Sequence, residues 1–142
     1  MIEFWIKGEP KAQPRPKAYR RGSKIGIYTP KTADAWKKCV KQGVEFWVSE
    51  QEPIDHPCQV VLEFFMPRIQ SHFRTQNKLP VLKDDAPMVH SSKPDIDNLE
   101  KSTIDALVDA GVFKDDNIIW HLDTYKRYSR HDLVGCRITI TQ

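Results

Sequence analysis

From the second residue onward apolar and polar side chains alternate: Ile2, Phe4 and Ile6 are set against Glu3, Trp5 and Lys7, the period of two expected of a strand with one buried face. Gly8 ends that strand. The stretch from Glu9 to Gly26 has no such period and mixes prolines and glycines with cations, which predicts an exposed loop. Thr29-Pro30 then offers an N-cap followed by a proline at the first helical position. Ala33, Trp36, Val40, Val44 and Trp47 recur at helical spacing, predicting a helix with one apolar stripe laid on a sheet. After Pro53 and Pro57, Cys58 to Met66 alternates again, and Val61 and Phe65 make the second face apolar too, so this strand reads as central. Periodicity fails from Pro67 to Pro94, apart from a short helix expected around Ser71 to Lys78. A connection that long within one domain is either functional or a tolerated surface insertion. A second helix is expected to open at Asp97 or Asn98, where Asp97 and Glu100 have capping-box spacing. It would bury Leu99, Thr103, Ala106, Leu107 and Ala110 and stop at Gly111. Ile118 to Tyr128 and Leu133 to Thr141 read as two last strands, joined by a polar turn around Ser129 to Asp132. The order of elements predicts an α/β (α+β) fold: a single mixed sheet of about four strands with helices packed on it.

Composition narrows the class. A chain of 142 residues, 39% hydrophobic and 29% charged, has the size and balance of one globular domain, taken here as residues 1–142. No apolar run approaches the roughly 20 residues that span a bilayer, and the start MIEFWIKGEP lacks the features of a signal peptide, so the expectation is a cytoplasmic protein with no membrane partner. Cys39, Cys58 and Cys136 are far apart with no paired spacing, and are expected to be reduced and mostly buried. The net charge of +3 hides a separation of sign. Residues 11–24 carry six cations (Lys11, Arg15, Lys17, Arg20, Arg21, Lys24) and no carboxylate, whereas residues 95–116 carry seven acids against two lysines. One segment suits polyanions and the other suits cations.

The acids are the more specific of the two. Pro94 disfavours helix at Lys93, so an extended approach is expected to place Asp95 and Asp97 side by side just before the second helix. Two hard carboxylates can share a hard cation such as Mg²⁺, which keeps water and phosphate oxygens in its remaining positions. Lys101 stands one helical turn beyond Asp97, where its ammonium can meet a phosphate or the charge that develops on it. Plainer roles exist for each residue: Asp97 as a cap with Lys101 as its salt-bridge partner, Asp115 and Asp116 as turn residues. Asp105 and Asp109 are expected to be structural or solvated.

The ordered set KPDIDNLEKSTIDALVDAGVFKDDNII resembles the signature of the RusA family of Holliday junction resolvases. It holds Asp-x-Asp-Asn-Leu, a lysine shortly after, an Asp-Ala-Leu, a glycine stop and an Asp-Asp before the next strand. GEPKAQPRPKAYRRG and IYTPKTADAWKK are similar to the basic Arg-Pro segment and the Thr-Pro-started helix of phage-type members. The resemblance touches most of the chain outside residues 48–92. It implies a mixed α/β fold, a homodimer, and Mg²⁺-dependent hydrolysis, with Mn²⁺ a substitute, of phosphodiesters in four-way DNA junctions during recombination and repair. By motif position it makes Asp95, Asp97 and Asp116 the metal ligands and Lys101 the lysine needed for cleavage. One departure is that the loop before the motif is long and less uniformly arginine-rich, so junction contacts do not follow from the resemblance. Lys11, Arg15, Lys17, Arg20, Arg21, Arg68, Arg74 and Lys93 are the candidate DNA-binding cations. Tyr19 and Phe73 are candidates for stacking at an opened junction centre, with simple packing as the plainer role.

Chain length bears on the dimer. A helix from about Asn98 to Ala110 is roughly 20 Å long at 1.5 Å per residue. The segment from Gly111 to Asp116 spans at most about 20 Å when extended. A return to Asp97 within one subunit is therefore at the limit of the chain's reach, and the alternative is that Asp116 of one subunit meets Asp95 and Asp97 of another. Two competing functions remain: a DNA-binding module without nuclease activity that uses the basic segment, and a metal-dependent nucleotide-sugar transferase using Asp95 and Asp97. The chain offers no glycine-rich nucleotide loop for the latter.

Overall fold

The computed structural model describes residues 1–130 and 133–142. Its frame is a mixed four-stranded sheet made of β1 (Ile2–Lys7), β4 (Cys58–Met66), β7 (Ile119–Tyr128) and β8 (Gly135–Thr141), in the order β1-β8-β4-β7. Strand β4 is central as its two apolar faces predict, antiparallel to β8 and parallel to β7. Two helices, α1 (Asp34–Glu50) and α2 (Ile96–Ala110), close one face. The residues they cover on β4 are Cys58, Val60, Leu62, Phe64 and Met66, all fully or nearly fully buried. Into the same core α1 contributes Trp36, Val40 and Val44, and α2 contributes Leu99, Thr103, Ala106 and Leu107. Trp36 Nε1 donates to Thr103 Oγ1 at 3.0 Å, so the one polar atom of the largest core side chain finds its partner on the facing helix. The architecture is the α+β sheet-and-helix fold read from the element order.

Local expectations fared differently. Thr29-Pro30 does not open α1; the cap is Ala33, without a side-chain hydrogen bond. The reason is that the preceding chain is not a loop. β2 (Lys17–Arg21) and β3 (Lys24–Tyr28) form an antiparallel hairpin, and residues 29–33 turn the chain from its end into the helix. Gly22, at φ +60°, opens the two-residue turn between these strands, the position where a hairpin favours glycine. Likewise the short helix expected around Ser71 to Lys78 is instead a single 3₁₀ turn at Gln70–His72 followed by the hairpin β5 (Phe73–Gln76) and β6 (Leu79–Leu82). Asn77 and Lys78 both take positive φ, 51° and 63°, the pattern of a tight hairpin turn. The predicted turn around Ser129 to Asp132 falls partly on His131 and Asp132, which lie outside the described residues. Cys58 and Cys136 are buried, Cys39 is half-buried, and all three are free thiols. Among the described residues no helix is long and apolar enough to cross a membrane.

A parallel pair needs a long crossover, and residues 67–118 supply it between β4 and β7. Because α2 runs back along the sheet, its first turn lies beside the carboxyl ends of β4 and β7. That end carries Asp95, Asp97 and Lys126, whereas Asp116 immediately precedes β7 at its amino end.

Candidate active site

Helix α2 begins at Ile96, one to two residues earlier than its capping pattern suggests, with Asp95 as the N-cap in extended conformation (φ −68°, ψ 142°). The expected Asp97–Glu100 capping box does not form. Asp97 lies inside the first helical turn, so the two aspartates are not alternate residues of one extended segment; Asp97 Oδ1 accepts from its neighbour Asn98 N at 2.9 Å. Asp95 makes no side-chain hydrogen bond to the helix, although a cap aspartate usually does. Its carboxylate is exposed and open to a ligand.

Three contiguous clefts surround this turn. One, of about 900 Å³, is lined by Asp95 and Asp97 together with Lys93, Lys126 and Arg127. A second, of about 710 Å³, continues from Asp95 to Lys93, Lys11 and Arg15. The third, of about 310 Å³, lies on the other side of Asp97 and brings it together with Lys101, Asp105 and Asp116 of the same chain. The return from Gly111 therefore does occur within one subunit. Gly111, left-handed at φ +93°, turns the chain, and the buried Val112 and Phe113 lead it back along α2. Asp116 thus lines one cleft with Asp97 and feels the charge of Lys101 within its own chain, whereas Asp95 does not line that cleft.

Electrostatics distinguish the two late aspartates. Asp115 accepts from Asn117 N at 3.2 Å, and that bond holds its carboxyl below the ordinary range. Asp116 is pushed above it, first by the hydrogen bond it shares with Asp115, then by desolvation and by the charges of Asp115 and Asp105, with Lys101 opposing. Lys126, half-buried on β7, is shifted down by burial while Asp95 attracts its charge. Its Nζ donates to the carbonyls of Ser92 and Pro94. Sequence reading passed over this lysine, since a cation in an alternating strand looks like a solvated position.

The donor set matches the chemistry of Mg²⁺: carboxylate oxygens only, one of them on an aspartate whose side chain makes no hydrogen bond to its helix, in an open cleft edged by cations. Among the described residues, however, no three His, Cys, Asp or Glu side chains stand close enough together to hold one ion. The structure brings Asp95 with Asp97 and Asp97 with Asp116 into shared clefts, and does not gather all three around a point.

The cations sort into separate groups. Lys11, Arg15 and Lys93 flank Asp95, and the segment bearing the first two is fastened to α2: Gln13 N donates to Asn98 O at 2.8 Å, and Ser102 Oγ to Lys11 O at 2.6 Å. Lys17, Arg20 and Arg21 ride on the β2–β3 hairpin, whose side chains are almost all exposed. Cross-strand pairs put Lys17, Tyr19, Arg21, Lys24 and Tyr28 on one face, with the Tyr19 and Tyr28 rings 6.0 Å apart, and leave Arg20 with Ile25 and Ile27 on the other. Arg74 is exposed on β5. Arg68 is engaged internally. It donates to Ser129 O and Pro87 O, each at 2.8 Å, and lies over the Tyr128 ring at 5.3 Å, tying the long crossover to the sheet. Phe73 is half-buried in β5.

A family model described as Endodeoxyribonuclease RusA matches residues 7–141 of the chain. The chain is also 31% identical over 140 residues to the uncharacterized protein YqaN of Bacillus subtilis (strain 168), a match that covers 96% of this chain and 94% of that protein.

Proposed function

This chain belongs to the RusA family of endodeoxyribonucleases, and on that premise we propose that it resolves four-way DNA junctions as a homodimer, by divalent-metal-dependent hydrolysis of one phosphodiester in each of two opposed strands. The observation that carries the reading is the family match over nearly the whole chain, on which Asp95, Asp97, Lys101 and Asp116 line clefts around one helical turn. Asp95, Asp97 and Asp116 are the proposed ligands of Mg²⁺, with Mn²⁺ as a substitute. When bound, such an ion supplies a more acidic water and polarises a phosphate oxygen.

The protein's own groups supply the rest. Lys101, exposed one turn beyond Asp97, faces the cleft with Asp116 and is proposed to balance negative charge growing on the phosphate. The first turn of α2 adds the positive end of a helix dipole beside the same backbone. Lys11, Arg15 and Lys93 are proposed to hold phosphates next to Asp95, and the cationic, aromatic face of the β2–β3 hairpin to reach a more distant arm of the junction. Two copies related by symmetry suit two symmetric cuts.

The test incubates wild type and Asp97→Asn with a synthetic four-way junction and with linear duplex, with and without Mg²⁺. Paired symmetric nicks in the junction, made by the wild type alone and only with metal, are expected. Junction binding with no metal-dependent product would leave a DNA-binding module instead.

A further inference from the structure

The segment 88–95 follows the end of β7 in short steps. Tyr128 N donates to Met88 O at 2.8 Å and His90 N donates to Lys126 O at 3.1 Å, so the chain enters as a strand-like extension of the sheet edge. Beyond His90 no backbone bond to the sheet continues it among the described residues. The side chain of Lys126 takes over instead: its Nζ donates to Ser92 O at 2.5 Å and to Pro94 O at 2.7 Å. One residue thus grips three alternate positions, 90 by its carbonyl and 92 and 94 by its ammonium, and the next residue is Asp95. Lys126 sits on β7 opposite the fully buried Phe64, on the face of the sheet that the helices cover, so its stem starts from a fixed point. Asp95, by contrast, is exposed: its carbonyl accepts from Leu99 N at 3.2 Å, but its carboxylate makes no hydrogen bond to its own helix.

We propose that Lys126 is the positioning residue for Asp95: through the carbonyls of Ser92 and Pro94 it fixes the backbone from which the Asp95 carboxylate enters the cleft. The inference rests on the endonuclease reading, in which Asp95 holds the metal. Groups that support metal ligands from behind typically change metal affinity about 10–100-fold when removed. A cation so near a carboxylate also has an opposite effect, because it competes with a metal ion for the same charge. If positioning dominates, removing Lys126 weakens metal binding; if competition dominates, removal strengthens it.

The experiment compares wild type, Lys126→Met and Lys126→Arg in three measurements: Mn²⁺ affinity without DNA by electron paramagnetic resonance, amide hydrogen exchange over residues 91–96, and junction affinity without metal. Lys126→Met is expected to bind Mn²⁺ at least tenfold more weakly, to exchange faster over 91–96, and to bind the junction within about twofold of wild type, the criterion being the lower end of that affinity range. Lys126→Arg, which keeps charge and donors, is expected to recover most of the loss. Unchanged or tighter Mn²⁺ binding by Lys126→Met overturns the proposal, as does lost junction affinity with Mn²⁺ binding intact, which would make the lysine a phosphate contact. If Lys126→Met does not fold, Lys126→Leu, which likewise has no donor, takes its place under the same criteria. A wild type that neither binds Mn²⁺ nor cuts the junction sinks the endonuclease reading itself, whereas a competent wild type with an indifferent Lys126 variant sinks only this inference.

Discussion

Replacing Thr103 with valine keeps the shape of a fully buried side chain while removing the acceptor of the Trp36 indole N–H, a bond of 3.0 Å between α1 and α2. Both residues are at most 1% exposed, so water cannot take the vacated place. Losing a neutral hydrogen bond alone costs about 1 kcal/mol, but a buried donor left without a partner carries its desolvation penalty, about 1–3 kcal/mol in all. For a domain of this size each kcal/mol moves Tm by about 4 °C, so Thr103→Val should melt roughly 4–12 °C below wild type. Thr103→Ser, which keeps the acceptor, should lose less than the valine variant through this bond. The assay is a double-mutant cycle by urea and thermal unfolding with Trp36→Phe, which has no N–H to orphan. In that background Thr103→Val should cost clearly less, with a coupling of about 1 kcal/mol or more. Equal costs in the two backgrounds, or a Thr103→Val variant within 0.5 kcal/mol of wild type (about the error of an additivity test), would refute the argument that this bond locks the helix carrying Asp97 and Lys101.

Replacing Lys17, Arg21 and Lys24 together with glutamine should flatten the log–log salt dependence of junction binding by roughly 2–3 per protomer, read by fluorescence anisotropy, while Arg20→Gln, on the opposite face, should change it less. His90 is buried and its Nδ1 has no partner among the described residues; burial first, then the Lys126 charge, depresses its pKa below 6.5. The unfolded chain therefore binds the proton more readily, so this contribution to stability is complete above pH 6.5 and is lost as pH falls from there to the folded-state pKa; His90→Asn should flatten that part of a stability–pH curve measured by urea unfolding. Arg68→Met should destabilise by about 1–3 kcal/mol and speed proteolytic nicking between residues 69 and 87, since it removes charged donors to two carbonyls that hold the crossover; nicking at the wild-type rate would count against that role.

The candidate site is built from segments with little in common locally. A connection between parallel strands delivers the first turn of α2 to the end of the sheet, a basic segment near the N-terminus is fastened across that turn by Ser102 and Asn98, and the chain after Gly111 folds back to add Asp116. Lys126 closes the arrangement from β7. None of these placements needs a large cavity; a nucleic-acid backbone is a linear polyanion and is met by an open, cation-edged surface.

Elements that bury one face announce themselves by period, and for that reason β1, α1, β4, α2 and β8 were legible in the sequence, as was the central place of β4 with its two apolar faces. Four chemically distinctive residues at fixed spacing, Asp95, Asp97, Lys101 and Asp116, stood out in the sequence as candidates, and the structure places them on adjoining clefts. The hairpins were not legible. β2–β3 and β5–β6 stand largely in solvent, where no burial imposes alternation, and their turns at Gly22 and at Asn77-Lys78 were the sole local signals. Capping patterns misled at both helices, since Thr29 and the Asp97–Glu100 pair had the right chemistry but tertiary packing put the helix starts elsewhere. Convergence belongs to the tertiary structure alone: which cation flanks Asp95, that Arg68 faces inward, that Asp116 meets Lys101 in its own chain and that Lys126 grips the approach to Asp95 all depend on how far apart in sequence the crossover lets neighbours be.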